Sequence, residues 1–472
     1  MKKIIAFFLF VPFAIHTVNA QSLVQKLDAA FRAFESQESL ANGIASLIVL
    51  NAETGQVVFA KNEKMGLAPA STLKTITSTA AYHILGANYT FETTLFYSGE
   101  IDANGILKGD IVVQGHGDPS LGSDRFPQTT DTVLLSTWVK AIQAAGIRKI
   151  DGRVIADDRL YDGQTAPRGW TWQDMGNYYG AGVSSLNWRE NAFGINFQTG
   201  LRTGDPTQVI STTSDVSYLQ LVNETTTGQR GTGDRVYAFS SPYSSRIYLR
   251  GTYGIDLKKT VYLSVPDGAY DAAFQLHQAL DRATVQQTYP PITAHVMALS
   301  GNEAPAHGTL LHRHQSPALS ELVYWFNQKS INLYGETLLK AMAYQRNDKT
   351  DTRDASEMLR DFWVEKAGIP KGELRIMDGS GLSPENRVTT NALARILLSV
   401  RKEPWFASFF ESLPTYNGMR MKSGTIGGVL GYAGYHTNKE GKPFVFALLV
   451  NNYQGAAGPM RQRMFRILDN LK

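Results

Sequence analysis

What most limits how this chain can fold is a change of character that happens twice along it. From about Phe91 to about Val265, glycine, threonine and serine punctuate short alternating runs such as Ile111-Val112-Val113 and Arg246-Ile247-Tyr248-Leu249. That is the pattern of short strands joined by turns. On both sides of this block the pattern is richer in helix. Leu23, Leu27, Phe31 and Phe34 fall on one face of an amphipathic helix within 22–41. Ile44 to Asn51, a turn at Ala52-Glu53-Thr54-Gly55, and Gln56 to Lys61 spell a hairpin. After the block, helices are predicted at 270–283, 316–328, 334–344, 390–400 and 460–471, with strands at 432–436 and 444–451. Ser316-Pro317 with Glu321 reads as the cap and first turn of one of these helices. A strand-rich block set inside helix-rich sequence predicts an α+β chain in which one unit, 21–91 with 266–472, is interrupted by an inserted, mostly-β region at 92–265, divided into two subdomains. Ser136 to Gly146 is a helix inside that region.

The first residues read differently. Lys2 and Lys3 precede an apolar run from Ile4 to Ile15, and Val18-Asn19-Ala20 offers small residues for cleavage. Residues 1–20 therefore read as a secretory signal peptide. No later stretch is apolar enough to cross a bilayer. Removing Lys2 and Lys3 takes 46 basic residues to 44 against 42 acidic ones, a mature charge near +2. That is no footprint for nucleic acid. There is no cysteine, so neither disulfides nor thiolate chemistry are available.

Candidate chemistry starts at Pro69-Ala70-Ser71-Thr72-Leu73-Lys74, where a loop runs into a helical pattern. Positions three apart share a helix face, so the Ser71 hydroxyl and the Lys74 amine would sit one turn apart. That pairs a nucleophile with a base, at a helix start whose free N–H groups favour developing negative charge. The plain alternative for Ser71 is a helix cap. The same spacing recurs at Ser399-Val400-Arg401-Lys402, which reads as a solvated helix end. Gly115-His116-Gly117-Asp118-Pro119-Ser120 lacks the Gly-Lys-Ser/Thr ending of a phosphate loop and reads as a turn. Trp170, Trp172, Tyr178 and Tyr179 could form a ligand-facing wall, although core packing is the commoner use of such residues. His312 and His314, two apart on a strand, share a face near His307, but no spaced set of further ligands accompanies them. No metal and no cofactor are expected.

Two further motifs follow in order. Ser-x-Asn occurs at Ser185-Leu186-Asn187, Ser300-Gly301-Asn302 and Ser330-Ile331-Asn332. Ser330 is preferred because it lies between two predicted helices, where a loop can face a cleft. Lys-Ser-Gly occurs at Lys422-Ser423-Gly424, followed by Thr425. Ser-x-x-Lys, Ser-x-Asn and Lys-Ser/Thr-Gly in this order form the active-site set of penicillin-binding proteins and serine β-lactamases. Over essentially the whole mature chain the sequence resembles the class C low-molecular-mass penicillin-binding proteins, the D-alanyl-D-alanine carboxypeptidases and endopeptidases of peptidase family S13. Gly117-Asp118-Pro119, Gly169-Trp170, the Asp378 to Ser383 loop and Gly431 to Tyr435 also look like segments of that family. Ser423 stands where the family usually has threonine, and Ile331 where many relatives have aspartate.

The resemblance implies a transpeptidase-type domain, an antiparallel sheet flanked by helices, carrying inserted subdomains. It implies a periplasmic enzyme that cleaves D-Ala-D-Ala bonds of peptidoglycan stem peptides through an acyl-enzyme and is acylated by β-lactam antibiotics. Ser71 would attack, and Lys74, kept neutral by burial and by the neighbouring Lys422, would take the proton. Ser330 would pass it to the leaving amine. Asn332 would hold the substrate amide and orient Lys74. Lys422, Ser423, Gly424 and Thr425 would line the site of the substrate's terminal carboxylate, with the Ser71 and Thr425 N–H groups as oxyanion donors. A β-lactamase is the rival within this chemistry, and the large insertion argues against it. A non-catalytic cell-wall binding protein of the same fold and a histidine-dependent metallohydrolase are the rivals outside it.

Overall fold

A computed structural model describes residues 22–472. The signal peptide expected at 1–20 lies outside the described residues. The organising element is a six-stranded antiparallel sheet that the chain builds from its two ends. Its order is Thr415–Tyr416, Met419–Ile426, Val429–Thr437, Pro443–Asn451, Ile44–Asn51 and Val57–Lys61. The predicted hairpin supplies the last two strands, and Ile44–Asn51 pairs with Pro443–Asn451 from the far end of the sequence.

Side chains alternate between sheet faces, and both faces here are apolar. Ile48, Leu50, Ala447 and Leu449 pack under helices Lys74–Ile84, Leu319–Lys329, Asn332–Asn347 and Thr390–Ser399. Leu47, Val49, Phe446 and Leu448 pack under helix Leu23–Glu35 and the closing helix Ala457–Leu468. The class is thus α+β, with helices on both faces of an antiparallel sheet.

The strand-rich block folds around two further cores. One gathers Leu95, Val113, Trp138, Ile150 and Trp188 beside a seven-stranded mixed sheet. The other gathers Phe193, Ile195, Val236, Ile247 and Leu263 between smaller sheets. The first core also contains Ala272, Leu276 and Leu280 from helix Gly268–Arg282. Strand Thr309–Gln315 pairs with Glu92–Ile101 at the edge of the same seven-stranded sheet. Phe91 N–H donates to Ser316 Oγ and Ser316 N–H to Phe91 O, at 2.9 Å each, so the outgoing and returning chains touch. We propose that the insertion ends near 315 rather than at 265, because segment 266–315 buries its apolar face on the inserted sheet.

Three helix starts differ from expectation by three residues or more; the closing helix, expected from Met460, begins at Ala457. The helix expected from Ser136 begins at Asp131, because Thr130 accepts from the Val133 N–H and caps it earlier. The helix expected from Ser316 begins at Leu319. Ser316 is occupied by the Phe91 crossing, and Glu321 reaches back to the Ala318 N–H instead. The 115–120 segment is a structural turn: a side chain at Gly117 would collide with the Tyr161 hydroxyl, and buried Asp118 accepts from the Ser120 N–H and hydroxyl.

Candidate active site

Ser71 lies in a single 3-10 turn, Ala70–Leu73, which runs into the helix beginning at Lys74. Ala70 is buried and holds φ +45°, a left-handed conformation that costs a residue with a side chain roughly 1–2 kcal/mol. The neighbours explain why it persists. A Cβ at Gly381 would meet Ala70 O at 2.0 Å. One at Gly424 would meet Pro69 O at 2.6 Å and Ser71 N at 2.9 Å. Backbone therefore packs directly on backbone on two sides of the turn, and the glycine of the Lys-Ser-Gly motif is required by contact.

Lys74 is fully buried and makes three short bonds. Its Nζ donates to Ser71 Oγ at 3.0 Å, to Asn332 Oδ1 at 2.6 Å and to Ser380 O at 2.7 Å. Burial lowers it to about 7, against the opposite pull of Asp378 and Glu336. Of the two causes expected, burial and Lys422, burial supplies this shift, and Lys422 is itself held well below its ordinary value, by burial first and by Lys74 second. A lysine amine hydrogen-bonded to a serine hydroxyl and poised near neutrality can act as a general base.

The second and third motifs meet beside it. Ser330 ends helix Leu319–Lys329 at φ +57° and, from that left-handed position, accepts from Lys422 Nζ at 3.0 Å. Lys422 also donates to Ser423 O at 2.8 Å. Because Ser330 Oγ accepts here, its own proton is free to be given away. Asn332 opens the next helix and donates through Nδ2 to the carbonyl of Tyr179 at 2.7 Å. One of its amide protons is therefore taken by the inserted region, which leaves the other for a ligand. Along strand Met419–Ile426, Gly424 is buried, Ser423 half-buried and Thr425 exposed. The two-residue strand Thr415–Tyr416 pairs only with Met419 and Arg420, so the edge beyond is not covered by it.

Ser71, Lys74, Ser330, Asn332 and Lys422 thus form one connected cluster. Ser185 and Asn187 are buried in the insertion, and Ser300 lies at the end of helix Ala294–Leu299, so neither alternative Ser-x-Asn joins it. Ser399 donates to Ile396 O at a helix end. His312 and His314 sit on strand Thr309–Gln315, and the described residues contain no group of three or more metal-ligating side chains.

Three partners of the cluster went unread in the sequence. Ser380 contributes a carbonyl, which no residue type announces. Glu336, buried, accepts the Gly379 and Ser380 N–H groups at 2.9 Å each and so fixes the loop that holds Lys74. Burial, then Asp378, raises Glu336 to about 8. Its signal was available: it stands four residues after Asn332, on the same helix face, among apolar neighbours. Asp378 accepts from the Gly381 and Ser383 N–H groups, Asn386 Nδ2 and Trp170 Nε1, at 2.6–2.9 Å. Trp170 is thus buried packing that ties the insertion to the catalytic loop, while Trp172 and Tyr178 stay exposed.

A model of the D-Ala-D-Ala carboxypeptidase 3 (S13) family matches residues 24–471. The chain belongs to this family. It is a serine-type D-Ala-D-Ala peptidase. The D-alanyl-D-alanine carboxypeptidase of Actinomadura sp. (strain R39) is 26% identical over 450 residues, 89% of this chain and 80% of that one. The D-alanyl-D-alanine carboxypeptidase DacB of Haemophilus influenzae is 24% identical over 485 residues, 95% of this chain and 92% of that one. The crystal structure of penicillin binding protein 4 from Haemophilus influenzae shares the fold, with a TM-score of 0.78 at 21% identity over 94% of this chain and 99% of that one.

Proposed function

We propose that Ser71 is the nucleophile of this S13 peptidase and Lys74 its base. The observation that carries the reading is a wholly buried amine bonded to the Ser71 hydroxyl. Ser71 Oγ attacks the carbonyl carbon of the penultimate D-alanine and its proton passes to Lys74. The oxyanion forms beside the Ser71 and Thr425 N–H groups, where each donor is worth roughly 10²–10³ in rate. As the tetrahedral adduct collapses, the C–N bond breaks and Ser330 gives its proton to the departing amine while taking the one that Lys74 holds, so both Ser330 and Lys74 return to their starting states. An ester on Ser71 remains and water cleaves it. Lys422, with Ser423 and Thr425, holds the terminal carboxylate. The strand edge beyond Met421, whose N–H is taken by Pro414 O, offers backbone groups to an extended peptide. Glu336 acts through the Ser380 loop as a positioning residue for Lys74.

The same attack on a β-lactam leaves the ring nitrogen tethered, so we read penicillins as covalent ligands of Ser71. Stem peptides of peptidoglycan are the substrates, cut as terminal D-Ala-D-Ala, as cross-links, or both. We read 1–20 as an export signal and the periplasm as the enzyme's location; among the described residues no helix is long and apolar enough to cross a membrane. A labelled penicillin should attach to the natural chain and not to Ser71→Ala. Rapid turnover of the drug instead of a lasting adduct would favour the β-lactamase reading.

A further inference from the structure

The inserted region opens a cavity of about 880 Å³ toward the active site. That volume lies within the range of roughly 300–1,000 Å³ that encloses a small ligand. Its position is set by two contacts. Tyr179 lines it, and the Tyr179 carbonyl accepts from Asn332. Trp325 lines it from the helix that ends at Ser330. The cavity therefore borders Asn332 through the Tyr179 backbone, and its wall includes the helix that leads to Ser330.

Its lining has a particular chemistry. Tyr178, Tyr237 and Tyr262 are 60%, 41% and 51% exposed. Large aromatic surface left open to water along a cleft is expected to have a use. The charged residues cancel, with four acidic and four basic side chains in the lining. Arg125 bonds Glu190 at 2.6 Å and Arg189 bonds buried Asp271 at 2.6 Å, while exposed Lys259 lies 3.9 Å from Asp234. A second stem peptide, with its free carboxylates, would meet as many carboxylates as cations. A neutral ring that presents C–H faces to tyrosines and hydroxyl or amide groups to fixed ion pairs would be matched.

The bond cleaved by this enzyme ends a short peptide hung from a neutral polymer of N-acetylated sugars. Resting on the peptidase reading above, we infer that this cavity is a subsite for the glycan strand, holding sugar rings while the attached peptide crosses Asn332 to reach Ser71. The insertion then makes the enzyme select polymer-linked peptides over free ones.

The test uses the full mature chain and Tyr237→Ala/Tyr262→Ala, with Tyr237→Phe/Tyr262→Phe as the conservative control. In calorimetry, a peptide-free tetramer of N-acetylglucosamine should bind the Ser71→Ala protein and bind about tenfold more weakly once both rings are removed. In kinetics, kcat/KM for a disaccharide-linked D-Ala-D-Ala peptide should exceed that for the same free peptide by about tenfold, and the alanine pair should erase that preference. Cleavage of the free peptide and the penicillin acylation rate should not change, and the phenylalanine pair should keep the preference. Equal cleavage of linked and free peptides, with no binding of the tetramer, overturns the subsite and leaves the peptidase reading standing. Binding of a free stem peptide but not of the tetramer also overturns it. Absence of both a penicillin adduct and cleavage, despite binding of the tetramer, removes the peptidase reading and with it the subsite's role in selection.

Discussion

The catalytic unit and the inserted region bury charge in opposite ways. In the insertion, Arg189 and Asp271 are buried as an ion pair at 2.6 Å. Beside Ser71, Lys74 and Lys422 are as deeply buried, yet their hydrogen-bond partners are hydroxyls, carbonyls and an amide. Removing a charge from water is expensive unless it is paired. In the first case pairing compensates. In the second, Lys74 is lowered to about 7 and gives up its charge readily, which is what a base needs. Lys340 sharpens the contrast: it is equally buried on the Asn332–Asn347 helix but ion-paired with Asp162, and we assign it to structure. Buried cations without a carboxylate mark chemistry here, and buried ion pairs mark architecture.

The largest expected effect tests the chemical side. Ser71→Ala should lower kcat by roughly 10⁴-fold or more and abolish the penicillin adduct seen by intact-mass measurement, with melting temperature little changed. Lys422→Ala should reduce acylation by roughly 10²–10³-fold in stopped-flow measurements. On the architectural side, Asp271→Asn strands the Arg189 charge and should cost about 3 kcal/mol in urea unfolding. Activity per folded molecule should be unchanged; a selective loss of kcat there would break the comparison. Gly424→Ala should do both kinds of damage, at about 1–3 kcal/mol from overpacking, because the new methyl meets Pro69 O and Ser71 N.

The smallest effect concerns pH dependence. With Lys74 as the proposed base, kcat/KM should fall about tenfold per unit below its pKa and level off above about 7. Glu336, raised to about 8, is protonated across this limb. Glu336→Gln should therefore lower the rate through the Ser380 loop and leave the limb in place. A limb that moves to lower pH would mean that Glu336 is ionised beside Lys74 in the working enzyme.

Much of this was legible because local physics wrote it. Helical spacing put Ser71 and Lys74 on one turn, the hairpin at 44–61 formed where its turn residues stand, and alternating runs marked the insertion. Motif order singled out Lys422, and the flanking helices favoured Ser330 over Ser185 and Ser300. Which sheet helix Gly268–Arg282 covers was not legible, since its periodicity is the same for either. Nor was the Ser380 carbonyl, because a backbone acceptor has no letter of its own.

The sequence by itself determined the parts: which residues can attack, accept a proton or hold a carboxylate, and which segments coil or extend. Only the tertiary structure decided their state. Lys74 is lowered to about 7, the state the proposed base needs, because packing removes water from it, and burial belongs to an assembled core rather than to any stretch of chain. The insertion reaches the active site for the same kind of reason: the Tyr179 carbonyl and the Trp170 ring meet Asn332 and Asp378 only once two distant segments have folded against each other.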